Sequence, residues 1–247
     1  MRRTTTALVL AAIALSAACT TRIAGNPSPA GDVTGGGATA QTSAGSTATD
    51  GRNPGSGQDA CGRSSKPEEC TQWTHTTPAT GQQLLATVKD NPASAAQMLC
   101  SALTEQQLDT HLGPGHYRYV EAGTSCAMWS ADGQLAIRVG VNALYPLSEY
   151  LTRFRNDPRL ASSVSELTIA GAPTMRTGVP RESDGKGTDT EDLVVAIGAP
   201  DKPGVMQVQF LLRQPRGKPD STPVDRTRLD MRDAAVGDLL TTLFPQR

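Results

Sequence analysis

Few residues of this 247-residue chain have a spacing that could support catalysis. Ser125 lies in GTSCA, which approaches the nucleophile-elbow motif G-x-S-x-G, but the motif ends in Ala127 and lies in a predicted strand rather than a strand–turn–helix. His111 and His116 flank Gly-Pro-Gly, and neither has carboxylate or cysteine residues at the spacing of a metal or catalytic centre. We therefore predict no catalytic residues, no metal site and no cofactor.

The acidic stretch from Glu182 to Asp192 contains the ligand type that calcium prefers. However, Asp184, Asp189 and Glu191 do not fall into the EF-hand pattern D-x-[DN]-x-[DN]-G with a closing glutamate. We predict that residues 178–191 form a solvated loop.

Cys19 follows a leader that is typical of exported proteins. The leader has basic residues at its start, an apolar run from Ala7 to Leu15, and small residues before Cys19. Its end, LSAAC, resembles the bacterial lipobox, in which cleavage precedes the cysteine and the cysteine receives a diacylglycerol; Ser16 stands where leucine is preferred. We predict a lipoprotein signal peptide over 1–18 and a lipidated Cys19 that holds the protein on a membrane. The alternative is a secreted protein without a lipid.

Residues 19–77 are predicted to be a lipidated, flexible tether. They are rich in Gly, Ser, Thr and Pro and almost free of apolar periodicity. Such a segment cannot bury enough surface to offset the entropy of ordering it. As a random coil it would span about 40 Å, so a folded domain over 78–247 would stand off the membrane.

The four remaining cysteines predict two disulfides, because an even number in an exported chain is typical of a disulfide framework. Three pairings are possible. We favour Cys61–Cys70 and Cys100–Cys126, since the members of each pair are close in sequence. A zinc site would require C-x2-C spacing and paired histidines, which the sequence lacks.

Residues 78–247 are predicted to form one α+β domain with an antiparallel sheet covered by helices. The order is helices, three strands, a helix, three or four strands and a final helix, without regular βαβ alternation. Helical spacing of apolar residues is found in four segments: 81–89, 92–103, 147–156 and 228–244. The Asp132-Gly133 pair predicts a hairpin turn, and Thr104 with Gln107 predicts a capping box.

Two of the predicted strands have one apolar and one polar face. In QLAIRVGVN, leucine, isoleucine and valine alternate with Ala136, Arg138, Gly140 and Asn142. In GVMQVQFLLRQ, apolar residues alternate with glutamines and Arg213. This alternation is typical of half-buried antiparallel strands.

Trp129, Arg153 and Arg155 are the candidate ligand-binding residues. Tryptophan often lines ligand sites, although Trp129 on its strand also fits a core position. Arg153 and Arg155, in RFRNDPR, could contact an anionic envelope polymer, or could simply belong to the solvated face of a helix. Nucleic-acid binding has no support, because 23 basic and 24 acidic residues are interspersed and no basic stripe is present.

The segments MLCSALTEQQLDTHLG and SCAMWSADGQLAIRVGVN, with LTIAGAP and a terminal AAVGDLLTTLF, resemble an actinobacterial, mycobacterial-type lipoprotein family with a domain of unknown function. The resemblance covers about residues 92–244. It implies a Cys100–Cys126 disulfide and brings no catalytic residues. Ala102 stands where the family prefers leucine. The matching positions are Cys100, Ala102, Leu103, Thr104, Cys126, Met128 and Trp129.

From these observations we expect a cell-envelope lipoprotein at the extracytoplasmic face of the cell membrane. Its domain would be a non-catalytic binding or accessory module for an envelope polymer, a lipid or an envelope protein. One alternative is a cell-wall-directed hydrolase, which would require Ser125, His116 or the loop carboxylates to meet in one cleft. Another is a structural subunit of an export or wall-synthesis complex, which would expose a large apolar patch.

Overall fold

The computed structural model describes residues 59–78, 80–178, 188–215 and 224–245. The predicted leader, Cys19 and the first part of the predicted tether lie outside the described residues. Within the described ranges, no helix has both the length and the apolar character needed to cross a membrane.

An antiparallel sheet of eight strands, in the order β1-β2-β3-β4-β8-β7-β6-β5, forms the centre of the domain. Together with its helices, it confirms the predicted α+β class. The strands are β1 (Cys70–Gln72), β2 (Tyr117–Glu121), β3 (Ser125–Trp129), β4 (Leu135–Asn142), β5 (Val164–Ile169), β6 (Ala172–Thr177), β7 (Thr188–Ala196) and β8 (Val205–Arg213).

The sheet consists of two four-stranded meanders. Strands β1 to β4 pair in sequence, as do β5 to β8. The meanders meet at the antiparallel pair β4–β8, where Leu135 is opposite Leu212 and Asn142 is opposite Val205. The two strands whose alternation the sequence shows most clearly are therefore neighbours.

Helices cover both faces of the sheet. α2, α3, α4 and α6 contribute to the main core on one face, and α1 and α5 cover parts of the opposite face. The helices are α1 (Asp59–Gly62), α2 (Gly81–Asp90), α3 (Pro92–Cys100), α4 (Glu105–Leu112), α5 (Leu147–Asn156) and α6 (Arg232–Leu243). The predicted helix over 228–244 is a short 3-10 helix (Arg226–Leu229) followed by α6.

Local sequence explains where these helices begin. The Thr104 side chain accepts a hydrogen bond from the backbone N–H of Gln107, and the Gln107 side chain accepts one from the backbone N–H of Thr104. This reciprocal pair confirms the capping box. Asn91 accepts from the Ser94 amide and precedes Pro92, a residue favoured at the first helical position.

The main core lies between the sheet and α2, α3, α4 and α6. Ile137, Val139, Val208 and Phe210, from the two central strands, are almost completely buried there. At the end of α6, Phe244 packs against Gly81, where an added Cβ would lie 2.0 Å from the ring. The first residue of α2 therefore has to be small.

The folded domain begins before residue 78, and the tether predicted for residues 19–77 is too long. Ala60 packs in the cluster under α1, and β1 pairs with β2 at the edge of the sheet. Trp73 is only 2% exposed, and its indole nitrogen donates to Ser101 Oγ at 3.1 Å. Pairing with a distant strand and burial of one tryptophan order a segment that has no apolar periodicity of its own.

Both favoured disulfides are present. Cys61–Cys70, with a Cα–Cα distance of 5.5 Å, connects α1 to β1. Cys100–Cys126, at 5.1 Å, connects the end of α3 to β3 and is completely buried. The first disulfide stabilises an edge of the domain and the second joins a helix to the sheet.

The predicted turn at Asp132-Gly133 connects β3 to β4, and Gly133 has the positive φ of 68° that such a turn favours. Partial burial opposes ionisation of Asp132, but hydrogen bonds from Ser130, the Gln134 amide and Arg228 lower its pKa below the usual value. The solvated loop predicted up to residue 191 is wrong in its last part, because β7 begins at Thr188 and pairs with β8.

Candidate functional site

The strand register brings polar side chains together on the face of the sheet opposite the main core. One row of cross-strand neighbours contains Arg138, Gln209 and Asp192, from β4, β8 and β7. The next row on the same face contains Gly140 and Gln207. The sequence of a single strand does not predict either row, because each row depends on which strands pair with one another.

A groove is present on this face beside α5. α1 packs at one end of the sheet, over a cluster that includes Tyr117, Trp129 and Leu211, and α5 packs at the other, over Met175 and Val194. Beside α5, and over the central strands, lies a cavity of about 430 Å³. We call this cavity the sheet groove; its lining includes Ser125, Arg138, Tyr150, Phe154, Asp192 and Gln207.

Hydrogen bonds connect the charged residues in the floor of the sheet groove. The Arg138 guanidinium donates to Glu121 at 3.1 Å and to Gln209 at 3.3 Å. The Gln209 amide then donates to Asp192 at 2.9 Å. The guanidinium is therefore held between a carboxylate and an amide, and the floor is ordered before any ligand binds.

Tyr150 forms the wall of the groove that belongs to α5. Its hydroxyl accepts from Asn142 at 3.0 Å and from Gln207 at 3.1 Å. Burial raises the pKa of Tyr150 above its usual value, so the group is a neutral phenol at physiological pH. Because the hydroxyl oxygen is the acceptor in both hydrogen bonds, the hydroxyl proton can be donated to a ligand.

The structure separates Ser125 from His116. Ser125 is opposite Glu121 at one end of the β2–β3 hairpin, and His116 precedes Tyr117 at the other end, more than about 13 Å away along the strands. His116 is completely buried and contacts Glu105 and the exposed side chain of Asp109. The structure therefore does not bring together the serine and histidine that a hydrolase would use.

Metal binding also finds no support within the ranges that the structure describes. There, no group of three or more His, Cys, Asp or Glu side chains is placed to hold a metal ion. The acidic residues Asp189 and Glu191 contact Arg226 and Arg232 instead. These carboxylates join β7 to the segment that contains α6.

A second cavity, of about 500 Å³, lies beside Trp73 and Arg118 on the other face of the sheet. Arg118 is 2% exposed and donates to the carbonyls of Cys100 and Leu103 at the end of α3, as well as to Glu105. Its guanidinium lies 3.8 Å from the centre of the Trp73 ring, and burial lowers its pKa to about 10. These contacts satisfy the end of a helix, so we assign Arg118 a structural role.

The predicted ligand-binding tryptophan is a core residue. Trp129 is 2% exposed, lies parallel to the Tyr117 ring and donates to the Tyr119 hydroxyl at 3.1 Å. The Arg213 guanidinium lies 4.3 Å from the centre of its ring. Trp129 supports the sheet next to the groove but does not line the groove.

The two predicted arginines lie on α5, on either side of a groove residue. Arg153 lies 5.7 Å from the centre of the Tyr145 ring, and Arg155 forms an exposed ion pair with Glu166. Phe154, between them in sequence, lines the sheet groove. Neither arginine is among the residues that line the sheet groove.

The sequence did not identify Tyr150, Asp192 or the glutamines Gln207 and Gln209 as site residues. The signal that could have found them is the polar face of β4 together with the polar face of β8. Compared with known proteins, the chain matches no family model, no curated protein and no solved structure. The resemblance to the actinobacterial lipoprotein family stays a prediction.

Proposed function

We propose that this chain is a lipid-anchored protein of the cell envelope, and that its domain binds a ligand in the sheet groove without catalysing a reaction. The observation that carries this proposal is the groove itself. It is concave, its polar floor is ordered by Arg138 and Gln209, and the described residues that line it include no histidine that could activate Ser125. Its volume is in the range of about 300–1,000 Å³ that is usual for small-ligand sites.

The leader and the disulfides support the envelope location. The LSAAC sequence ends in Cys19, and two disulfides fit an oxidising compartment outside the cytoplasm. Lipidation of Cys19 would place the domain at the extracytoplasmic face of the cell membrane. The resemblance to actinobacterial lipoproteins supports the same location.

A structural subunit is less well supported than a binding domain. Such a subunit would bury an apolar patch of several hundred Å² against its partner. Among the described residues, the exposed large hydrophobic side chains are Leu144 and Tyr145, which are neighbours in sequence. Two side chains do not form a patch of that size.

Photo-crosslinking in intact cells tests the groove. Replacing Phe154 by p-benzoylphenylalanine places an aromatic crosslinker in the groove, and the same replacement at exposed Thr241 on α6 is the matched control. We expect an adduct from position 154, none from position 241, and loss of the first when Gly140→Phe fills the groove. If the adduct from position 154 persists in the Gly140→Phe variant, the result would contradict a ligand site in the sheet groove.

Membrane fractionation tests the anchor. The Cys19→Ala variant should appear in the medium, while the unchanged chain stays with the membrane. Continued membrane retention of the variant would show that Cys19 does not anchor the protein.

A further inference from the structure

The sheet groove contains both acceptors and donors that are not used within it; among the donors are the Arg138 Nε–H, which has no partner among the described residues, and a second N–H on each of its terminal nitrogens. The second carboxylate oxygens of Glu121 and Asp192, and the side-chain oxygen of Gln207, accept no hydrogen bond from any described residue. The Tyr150 hydroxyl is a donor beside them. A matching ligand must therefore both donate and accept hydrogen bonds.

The charges in the floor disfavour an anionic ligand. Glu121 and Asp192 are two carboxylates, and Arg138 is the one cation between them, so these three groups together carry one negative charge. Both terminal nitrogens of Arg138 already donate within the floor. A phosphate or carboxylate that approached the guanidinium would be repelled by both Glu121 and Asp192.

Hydroxyl groups fit this arrangement. Each hydroxyl donates one hydrogen bond and accepts others, so a hydroxyl-rich molecule can donate to the free carboxylate and amide oxygens and accept from Tyr150. Phe154 adds an aromatic wall that can contact the C–H groups of a sugar ring. Because Glu121 and Asp192 already accept from Arg138 and Gln209, neutral donors satisfy them without a further cation.

We infer that the ligand of the sheet groove is a short segment of a neutral saccharide. This inference rests on the proposed binding function and names its ligand class. The sugar lies across β4, β8 and β7, with its hydroxyls on Asp192, Gln207 and Tyr150 and one face against Phe154. The open sides of the groove allow the segment to belong to a longer envelope glycan.

The crosslinked adduct provides a first test that applies to any sugar with vicinal hydroxyl groups. Periodate oxidises vicinal diols to aldehydes, and a hydrazide dye then labels the aldehydes. We expect the adduct from position 154 to take up more dye than the same protein without irradiation, and protein with the crosslinker at Thr241 to show no gain. An adduct that takes up no added label and also releases no hexose or hexosamine on acid hydrolysis would overturn the saccharide inference and leave the proposed function standing, whereas no adduct at position 154 would contradict the proposed function itself.

Titration of the full chain, purified in mild detergent, gives the second test. We expect at least one of chitohexaose, cellohexaose and maltohexaose to bind with a dissociation constant below about 1 mM, and dextran sulfate and spermidine not to compete. Gly140→Phe should weaken binding at least tenfold. An added Cβ there meets only Ser125 at 3.8 Å, so the strand can accept the side chain while the ring enters the groove.

The matched control is Gly178→Phe, which adds the same ring at a position outside the groove with nothing within 4 Å of an added Cβ. It should bind as the unchanged chain does. Thermal unfolding of both variants verifies that each is folded. The inference is overturned if none of the three oligosaccharides binds, if spermidine displaces them, or if both phenylalanine variants bind equally well.

Discussion

Removal of the buried disulfide should destabilise the domain more than removal of the peripheral one. Cys100 and Cys126 are 26 residues apart in sequence, and a loop of that length corresponds to about 3.5 kcal/mol in the chain-entropy description. The 9-residue separation of Cys61 and Cys70 corresponds to about 2.6 kcal/mol. The double variant Cys100→Ala/Cys126→Ala also removes two sulfur atoms from a fully buried position, so its loss should exceed the loop term.

Thermal unfolding followed by far-UV circular dichroism measures the difference. For a domain of this size, about 2–4 °C is lost per kcal/mol, so the Cys100/Cys126 variant should unfold about 7–14 °C lower. The Cys61→Ala/Cys70→Ala variant is the control. It should show a smaller loss, because α1 and β1 lie at an edge of the sheet. A loss below about 3 °C for the buried pair, or a larger loss for the peripheral pair, would refute the reasoning.

Three further changes follow from individual contacts. Arg118→Met should lower the free energy of unfolding by about 2–4 kcal/mol in urea titrations, because the buried carbonyls of Cys100 and Leu103 lose their hydrogen-bond donor. A loss below about 1 kcal/mol would contradict the assigned role. Gly81→Ala should cost about 1–3 kcal/mol by displacing Phe244, whereas Gly237→Ala, with open space around it, should cost nothing. The folded-state pKa of Asp132 is lowered, so the stability that its carboxylate contributes is present above the unfolded pKa and is lost as the pH falls through the folded value. Between about pH 4 and pH 2, the Asp132→Asn variant should therefore lose less stability than the unchanged chain. Equal acid sensitivity of the two proteins would contradict this.

The helices and the fold class could be predicted from the sequence because their signals are local. The helical segments predicted over 81–89 and 92–103 and the capping box at Thr104 and Gln107 are signals within short stretches of sequence, and the structure confirms them. The start of the domain could not be predicted in the same way. Trp73 and β1 are ordered by Ser101 and β2, which follow much later in the chain.

The residues of the sheet groove could not be predicted from the sequence for the same reason, because they depend on contacts between distant segments. The polar faces of β4 and β8 could be read individually, but their pairing is a contact between distant segments. Tyr150 fits the apolar stripe of α5, and its role depends on a hydroxyl that accepts from Asn142 on β4 and Gln207 on β8. Because β4, α5 and β8 form the site together, no short sequence motif within any one of them identifies it.

The junction of the two meanders has a consequence for the order of folding. β2, β3 and β4 can pair through local hairpins, and Cys100–Cys126 joins α3 to this half. The partner of β4 is β8, the last strand made, so the free edge of β4 must persist until the second meander has formed. Pulse-labelling hydrogen exchange should therefore show β2 and β3 protected before β4 gains its protection from β8. During that interval the unpaired edge of β4 is the segment most exposed to mispairing, and chaperones that bind extended strands would act on it.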